Sequence, residues 1–258
     1  MFQPGLDNAN PESAITSPSK RTSIAFAGTL ETRVSPSASF IQNGMRSHDD
    51  PIMSDDIYMP GATTVGLVCK EGAILGSERR YAYGTFVMSK VAKKVFKITD
   101  KIGVGCAGII GDMQVLSREA LAYMSIFEYE RGRAGTVKNT AKLMANLLSA
   151  RRFMPYLAQT IIAGVDNSVP SLFVMDPIGS VLEDKFAAVG TGAEVAMGVL
   201  ESEYREGLSV DEARPLILRA IRSALARDIS SGDGVDLLVI TESGIKEESH
   251  KLVKEKNE

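Results

Sequence analysis

The amino-acid sequence predicts an α+β fold in four layers (αββα), in which two antiparallel sheets pack face to face between two pairs of helices. Along the chain the segments follow the order strands, two helices, strands, two helices and a last strand. A parallel doubly wound sheet would need strict alternation of strands and helices. Turn signals such as Glu71-Gly72 between neighbouring strands are typical of hairpins. Grouped strands joined by hairpins therefore favour antiparallel sheets with the helices outside.

Two hairpins open the predicted folded region. The first joins strands at 63–70 and 73–78, and the second joins strands at 94–99 and 102–107 around Asp100-Lys101. The strand at 63–70 is apolar or small on both faces, which predicts that it is buried between layers.

The two helices that follow have clear apolar faces. The first is expected to begin at Asp112 as its N-cap and to end before Gly132. The second is expected over 137–152. The residues predicted to face the core are Leu116, Ala120, Tyr123, Met124 and Phe127 in the first, and Val137, Ala141, Met144 and Leu148 in the second.

The second half repeats this order. Strands are predicted at 159–165 and 171–175, with short ones near 181 and at 186–189. A helix is predicted at 193–204, and another is predicted to begin at the capping box Ser209-x-x-Glu212 and to end near 227. A strand at 235–241 is expected to close the domain, with a charged, exposed tail from about Glu242.

Residues 1–61 differ in composition from the rest of the chain. They contain six of the ten prolines and nine serines, and they show no sustained strand or helix period. Such a segment buries too little apolar surface to offset the entropy of ordering it. We therefore expect a leader over 1–61 that is disordered or docked on a partner, followed by one domain over 62–258.

Composition excludes several functional classes. The only histidines, His48 and His250, lie outside the predicted folded region, so a Ser-His-Asp or Cys-His hydrolase and a His-ligated metal site are not expected. A net charge of −3 gives no indication of a nucleic-acid partner. No apolar run reaches the roughly 18–20 residues of a membrane span. Cys69 and Cys106 lie in apolar strands, which suggests reduced core thiols and a cytoplasmic protein.

One glycine motif suggests a different function. Gly103-Val-Gly-Cys-Ala-Gly108 matches G-x-G-x-x-G after a strand and before a helix, the setting of a dinucleotide-binding turn. An N-cap carboxylate at Asp112 would repel a pyrophosphate. The acidic residues about 20 positions on, Glu128 and Glu130, lie in the helix and not after a second strand. We therefore favour close strand-to-helix packing for these glycines.

Without histidine, a hydrolase can use an N-terminal threonine whose own α-amine is the general base. That amine has an unperturbed pKa of about 7.7–8.0, which suits a base at neutral pH. It exists only after a leader has been removed. A polar leader that ends in glycine before a buried strand fits this scheme.

Several motifs together carry a resemblance that covers residues 62 to about 241. In order, the chain resembles the archaeal-type β subunit of the 20S proteasome core. The matching stretches are Gly61-Ala-Thr-Thr-Val-Gly-Leu67, Gly76-Ser-Glu-Arg-Arg80, Lys93-Lys-Val-Phe-Lys-Ile98, Ala107-Gly-Ile-Ile-Gly-Asp112, Arg152-Phe-Met-Pro-Tyr156, Gly190-Thr-Gly192 and Arg227-Asp-Ile-Ser-Ser-Gly232. The resemblance implies the N-terminal nucleophile (Ntn) hydrolase fold, which is an αββα sandwich.

The resemblance also implies roles for individual residues. It places the nucleophile at Ala62, where the family has threonine, and the cleavage of the leader between Gly61 and Ala62. By the same alignment, Lys94 would lower the proton affinity of the nucleophile, and Glu78 would hold that lysine. The remaining implied roles are orientation of the terminal amine by Asp228, Ser231 and Thr191, an oxyanion-binding N–H at Gly108, and a substrate pocket near Tyr81, Ala92, Phe96 and Cys106.

Alanine has no hydroxyl, so leader removal and peptide hydrolysis are both expected to fail in this chain. Thr63 is a poor substitute because neighbouring strand residues face opposite sides. Two explanations stay open: an engineered Thr→Ala that arrests an active protease as its precursor, or a naturally non-catalytic β subunit of the ring. We favour the first because Lys94, Glu78, Asp228 and Ser231 are all present.

The resemblance further implies an assembly. It predicts homo-heptameric β rings stacked in pairs, rings of α subunits at the ends, and an ATP-dependent unfoldase cap. Unfolded proteins would be the substrates, and neither a metal nor an organic cofactor would be needed.

Overall fold

In a computed structural model of the chain, the structure describes residues 61–251. The predicted leader over 1–61 lies outside the described residues except for Gly61, as do the last seven residues of the predicted tail.

The first sheet contains the strand that begins at the Gly61–Ala62 junction. All of its neighbouring strands are antiparallel, in the order β10-β1-β2-β11-β12. Its strands are Thr63–Cys69 (β1), Gly72–Glu78 (β2), Phe186–Gly190 (β10), Val235–Thr241 (β11) and Gly244–His250 (β12). The central strands β1 and β2 are buried along their whole lengths, as the apolar character of both faces predicts.

The second sheet is also antiparallel, in the order β5-β6-β7-β8-β9. Its strands are Val95–Thr99 (β5), Ile102–Gly108 (β6), Ala158–Asp166 (β7), Val169–Met175 (β8) and Val181–Asp184 (β9). A separate hairpin of Tyr81–Tyr83 (β3) and Phe86–Ser89 (β4) connects the two sheets along the chain.

Four helices cover the outer faces of the sheets. They are Ile110–Arg131 (α1), Val137–Ala150 (α2), Ala193–Glu203 (α3) and Val210–Leu225 (α4). None of the helices among residues 61–251 is both long enough and apolar enough to cross a membrane.

Three apolar clusters correspond to the three interfaces between layers. The first lies between α1, α2 and the second sheet and includes Met113, Met144 and Ile162. The second lies between α3, α4 and the first sheet and includes Val65. The third lies between the sheets and includes Leu75. The predicted α+β, four-layer αββα arrangement is therefore confirmed.

Two predictions about strands are wrong. Residues Gly244–His250 form the edge strand β12, paired with β11, where the sequence predicted an exposed tail from Glu242. Lys246 and Glu247 of β12 face solvent at a sheet edge, and charge at an edge is compatible with a strand. The hairpin of β3 and β4 was not predicted, because its strands are short and expose Phe86 and Met88.

The start of α1 also differs from the prediction. Ile109 is the N-cap and makes no side-chain capping bond, while Asp112 lies inside the first turn. The Asp112 carboxylate instead accepts a hydrogen bond from the backbone N–H of Leu157 at 2.8 Å. Tyr123 is 51% exposed, so its predicted place in the core is wrong. The predicted end at Gly132 is confirmed by its left-handed φ of 62°.

Replacing Asp112 with alanine is expected to destabilise the fold by about 1–3 kcal/mol, because the partly buried N–H of Leu157 would lose its partner. The matched control is Asp211→Ala, which removes an exposed first-turn aspartate whose partner is Arg214. Its loss should cost less than about 1 kcal/mol. Urea unfolding followed by circular dichroism measures both changes, and equal losses would contradict a specific role for the Asp112–Leu157 bond.

Candidate active site

The site is built around the start of β1, where Gly61 and Ala62 enter the first sheet. Ala62 is 1% exposed, and its methyl group packs in the cluster between the sheets together with Ala107. Side chains alternate along β1, so Thr63 faces the opposite side of the sheet. The predicted alternation is confirmed, since Thr64 again faces the second sheet and donates to the Cys106 carbonyl at 2.8 Å.

Gly61 lies so close to the loop before β11 that a larger residue would not fit. A Cβ atom at this position would overlap Ser230 and approach the hydroxyl of Thr191. The close approach explains why the residue before the junction is glycine. It also fixes the peptide bond between Gly61 and Ala62 against the side chains described next.

Lys94 and Glu78 form a buried ion pair at the ends of β5 and β2. The Lys94 ammonium donates to Glu78 and to the backbone carbonyl of Arg80 at 2.6 Å. The second carboxylate oxygen of Glu78 accepts from the backbone N–H groups of Arg80 at 2.6 Å and Gly232 at 3.0 Å. The lysine and glutamate side chains are 1% and 0% exposed, so the charges are satisfied by each other and by the backbone.

Burial changes the proton affinity of both members of this pair. It lowers the pKa of Lys94, against the attraction of Glu78 and of the more distant Asp228. Burial likewise raises the pKa of Glu78, while Lys94 and two backbone N–H groups oppose that rise. Each charged group of the pair is therefore stabilised mainly by the other and by the backbone groups around it.

Asp228 accepts hydrogen bonds from two hydroxyl groups near Ala62. One of its carboxylate oxygens accepts from Thr191 at 2.5 Å and from Ser231 at 2.6 Å. The other accepts from the backbone N–H of Ser230 at 3.0 Å. The Thr191 hydroxyl in turn accepts from the backbone N–H of Ala62 at 3.2 Å. The structure therefore brings Thr191 to the nitrogen of residue 62, while Asp228 is connected to it through Thr191, and Ser231 through Asp228.

Gly108 ends β6 with its amide directed away from β7. The N–H of Cys106 donates to the Lys94 carbonyl, and the N–H of Ile109 donates to the Leu157 carbonyl on the other side. Because amides alternate along a strand, the N–H of Gly108 lies on the same side as that of Cys106. Val95, where β5 begins, pairs with Gly105, so Gly108 lies past the end of β5.

A cavity of about 210 Å³ adjoins Gly108 and the junction. It is lined by Ala107, Gly108, Leu157, Gln159, Pro177 and Thr191, together with Ala158 and Gly190. Gly190 needs its positive φ of 96° and its lack of a side chain, because a Cβ atom would overlap the Ala62 carbonyl. Gly190 therefore lies between the cavity that it lines and the carbonyl of residue 62.

The four predicted pocket residues are divided between two environments. Tyr81 and Ala92 are half-buried beside the β3–β4 hairpin. Phe96 and Cys106 face the cluster beneath α1 and α2, and Cys106 is fully buried. Burial raises the pKa of the Cys106 thiol to about 12, so it is not a thiolate nucleophile at neutral pH. None of the four lines the cavity beside Gly108, and their pocket role stays a prediction.

Two residues of the site were missed in the sequence. Arg80 donates to Asp233 and to the Ile229 carbonyl, both at 2.8 Å, while its own backbone binds Glu78 and Lys94. It therefore ties the loop that carries Asp228 to the ion pair. Thr63, whose hydroxyl lies 2.9 Å from that of Ser231, is the second. An arginine after Glu78 is usually a solvated charge, so no sequence signal separated Arg80 from Arg79.

Comparisons with a family model and with known proteins both identify proteasome subunits as relatives of this chain. A family model described as "Proteasome subunit" matches residues 59–240. "Proteasome subunit beta 1" of Nitrosopumilus maritimus is 47% identical over 191 residues, which are 74% of this chain and 96% of that protein. "Proteasome subunit beta 2" of Caldivirga maquilingensis is 43% identical over 200 residues, which are 78% of this chain and 100% of the relative.

A third relative, "Proteasome subunit beta 1" of Ignicoccus hospitalis, is 44% identical over 185 residues, 72% of this chain and 93% of its own length. The matched region spans both sheets from β1 to β11 and all four helices. Together with the Ntn-type αββα fold, these matches show that the chain belongs to the proteasome family, as an archaeal-type β subunit of the 20S core particle.

Proposed function

We propose that this subunit is a threonine endopeptidase whose nucleophile position is occupied by Ala62, so that the chain as written neither removes its leader nor cleaves peptides. Threonine peptidase activity is the activity of its family. The observation that carries the proposal is the hydrogen bond from the nitrogen of residue 62 to Thr191, which is itself bound to Asp228. A threonine at 62 would therefore place its future α-amine next to the Thr191 hydroxyl, which is bound to the half-buried Asp228 carboxylate.

In maturation, the Oγ of a threonine at 62 would attack the carbonyl carbon of Gly61. The C–N bond to residue 62 then breaks, the nitrogen takes a proton and becomes the α-amine, and water hydrolyses the resulting ester. The Gly108 N–H, past the end of β5, is suited to stabilise the oxyanion of this step. The buried Ala62 methyl group supports no such attack, because it carries no oxygen.

In peptide hydrolysis the same Oγ would form an acyl-enzyme, with the α-amine as general base. We assign to Lys94 the electrostatic lowering of the proton affinity of Oγ and of the amine, and to Glu78 the holding of Lys94. Asp228, Thr191 and Ser231 would orient the amine. The buried, fully hydrogen-bonded state of the Lys94–Glu78 pair supports these roles, because a fixed charge requires no reorganisation during the reaction.

Two origins of Ala62 fit this proposal. An engineered Thr→Ala would arrest an active precursor, and we favour it because the hydrogen-bond network around residue 62 is complete. A naturally non-catalytic β subunit is the alternative, in which the same network would only stabilise the subunit.

We further propose that the subunit assembles as homo-heptameric rings stacked in pairs between α-subunit rings, with the sites facing an inner chamber. An ATP-dependent unfoldase would supply unfolded polypeptides in the cytoplasm. The exposed apolar side chains of Phe86, Met88 and Tyr129 support burial in such an assembly, because large apolar side chains at a surface mark contact sites.

Restoring the nucleophile tests the central claim. We expect Ala62→Thr to remove residues 1–61, which intact mass spectrometry detects, and to cleave a fluorogenic peptide. Ala62→Val is the matched control, because valine has the shape of threonine without its hydroxyl. A leader that stays attached in an assembled Ala62→Thr particle would contradict the proposal and would support the non-catalytic alternative.

In the Ala62→Thr background, Lys94→Met should lower kcat by about 10²–10³, the range for removing one preorganised electrostatic group. Lys93→Met is the matched control, because the neighbouring lysine is exposed and binds Glu247 at the surface. It should leave kcat within about twofold.

Loss of Lys94 also leaves Glu78 unpaired in the core, so misfolding must be excluded. The double change Glu78→Gln with Lys94→Met removes both charges at similar volume, and native electrophoresis reports its assembly. An assembled double variant with full activity would overturn the role of the pair.

A further inference from the structure

We propose that Thr63 is a positioning residue: its hydroxyl completes a hydrogen-bond relay through Ser231 that fixes the Asp228 carboxylate, to which Thr191, the partner of the residue-62 nitrogen, is bound. This inference deepens the proposed function and depends on it for its catalytic consequence. The relay itself is a property of the folded chain as it stands.

The position of Thr63 in the fold supports this role. Thr63 is fully buried and lies on the face of β1 that is turned to α3 and α4, opposite to Ala62. The N-terminal end of α3 leaves it little room, because a Cβ atom at Gly192 would overlap its hydroxyl oxygen. Its Oγ1 lies 2.9 Å from Ser231 Oγ. Because its surroundings are tight, the Thr63 hydroxyl is held against one partner, Ser231.

The directions of the hydrogen bonds follow from the number of protons. Each hydroxyl has one proton to donate and accepts through its lone pairs. Ser231 donates its proton to Asp228 at 2.6 Å, since an ionised carboxylate only accepts. Thr63 must therefore donate to Ser231. Thr191 likewise donates to Asp228, so its lone pair accepts the N–H of Ala62.

Two arms thus meet at one carboxylate oxygen of Asp228. One arm runs from the nitrogen of residue 62 through Thr191, and the other runs from Thr63 through Ser231. Hydrogen bonds in such a chain polarise one another, so the Thr63 bond strengthens the bond from Ser231 to Asp228. Without Thr63, the buried Ser231 hydroxyl would lose its donor and the rotamer that the donor selects.

The hydroxyl of Thr63 is not needed to fill space. Valine has nearly the same shape, suits a strand, and has no polar group that requires a buried partner. The contact with Ser231 is what a valine at this position would lack. The relay therefore accounts for the polar side chain on an otherwise apolar face that continues with Val65 and Leu67.

The kinetic test uses the full chain with Ala62→Thr. We expect Thr63→Val to lower kcat about tenfold, the effect of one hydrogen bond on the barrier, with KM unchanged. Thr63→Ser keeps the hydroxyl and should restore kcat to within about twofold. Thr64→Val is the matched control: it removes a buried hydroxyl one residue along β1, where the partners are Ser77 and the Cys106 carbonyl.

The structural test uses the assembled chain with Ala62 in place. A structure of Thr63→Val should show a longer Ser231–Asp228 contact, because that bond loses the donor that polarises it, and that of Thr64→Val should keep the contact unchanged. An unchanged Ser231–Asp228 bond in Thr63→Val would overturn the relay. Equal losses of kcat in Thr63→Val and Thr64→Val, or no rescue by Thr63→Ser, would overturn its role in positioning.

The two proposals fail in different ways. An Ala62→Thr particle that is inactive contradicts the proposed peptidase, while the position of Ser231 in Thr63→Val still decides whether the relay exists.

Discussion

The buried ion pair between Lys94 and Glu78 is the constraint on which the rest of the site depends. Both side chains are removed from solvent, and leaving either one without its partner would cost about 3–5 kcal/mol. The pair therefore requires that the end of β2 in one sheet stays next to the start of β5 in the other. Its remaining acceptor sites are filled by backbone N–H groups of Arg80 and Gly232, which adds the loop before β11 to the same unit.

That loop connects the electrostatic and the orienting parts of the site. It carries Asp228 and Ser231, and it is held from one side by Glu78 and from the other by the Arg80 guanidinium. The Ser230 side chain of this loop also lies against Gly61, so the position of the junction and the position of the carboxylate are set together. A change in the loop would therefore move the nucleophile position and its orienting groups at once.

Much of this arrangement could be predicted from the sequence. Hairpin signals, the capping box at Ser209 and the strand Val235–Thr241 were sufficient for the four-layer fold. Edge strand β12 was missed because its charged residues lack the apolar alternation by which strands are recognised. Asp112 was misplaced because its carboxylate binds Leu157, a contact that local capping rules do not contain.

The residues of the site also fall into those that could be predicted from the sequence and those that could not. The roles of Glu78, Lys94, Asp228 and Thr191 were implied only by the family resemblance, and the structure places these residues together. Arg80 and Thr63 act through residues about 150 or more positions away, and such pairings follow from the fold and not from a local pattern.

The burial of the Gly61–Ala62 bond limits which proteases can cut it. Both residues are buried, with Ser230 and Thr191 against Gly61 and the Ala62 carbonyl against Gly190. A second protease needs its substrate as an accessible, extended strand, and this bond is buried directly before β1 when the subunit has folded. If other β subunits of the ring were active, they could therefore cut this chain only at other bonds. Removal of the leader as proposed would therefore be a reaction of each subunit on its own chain.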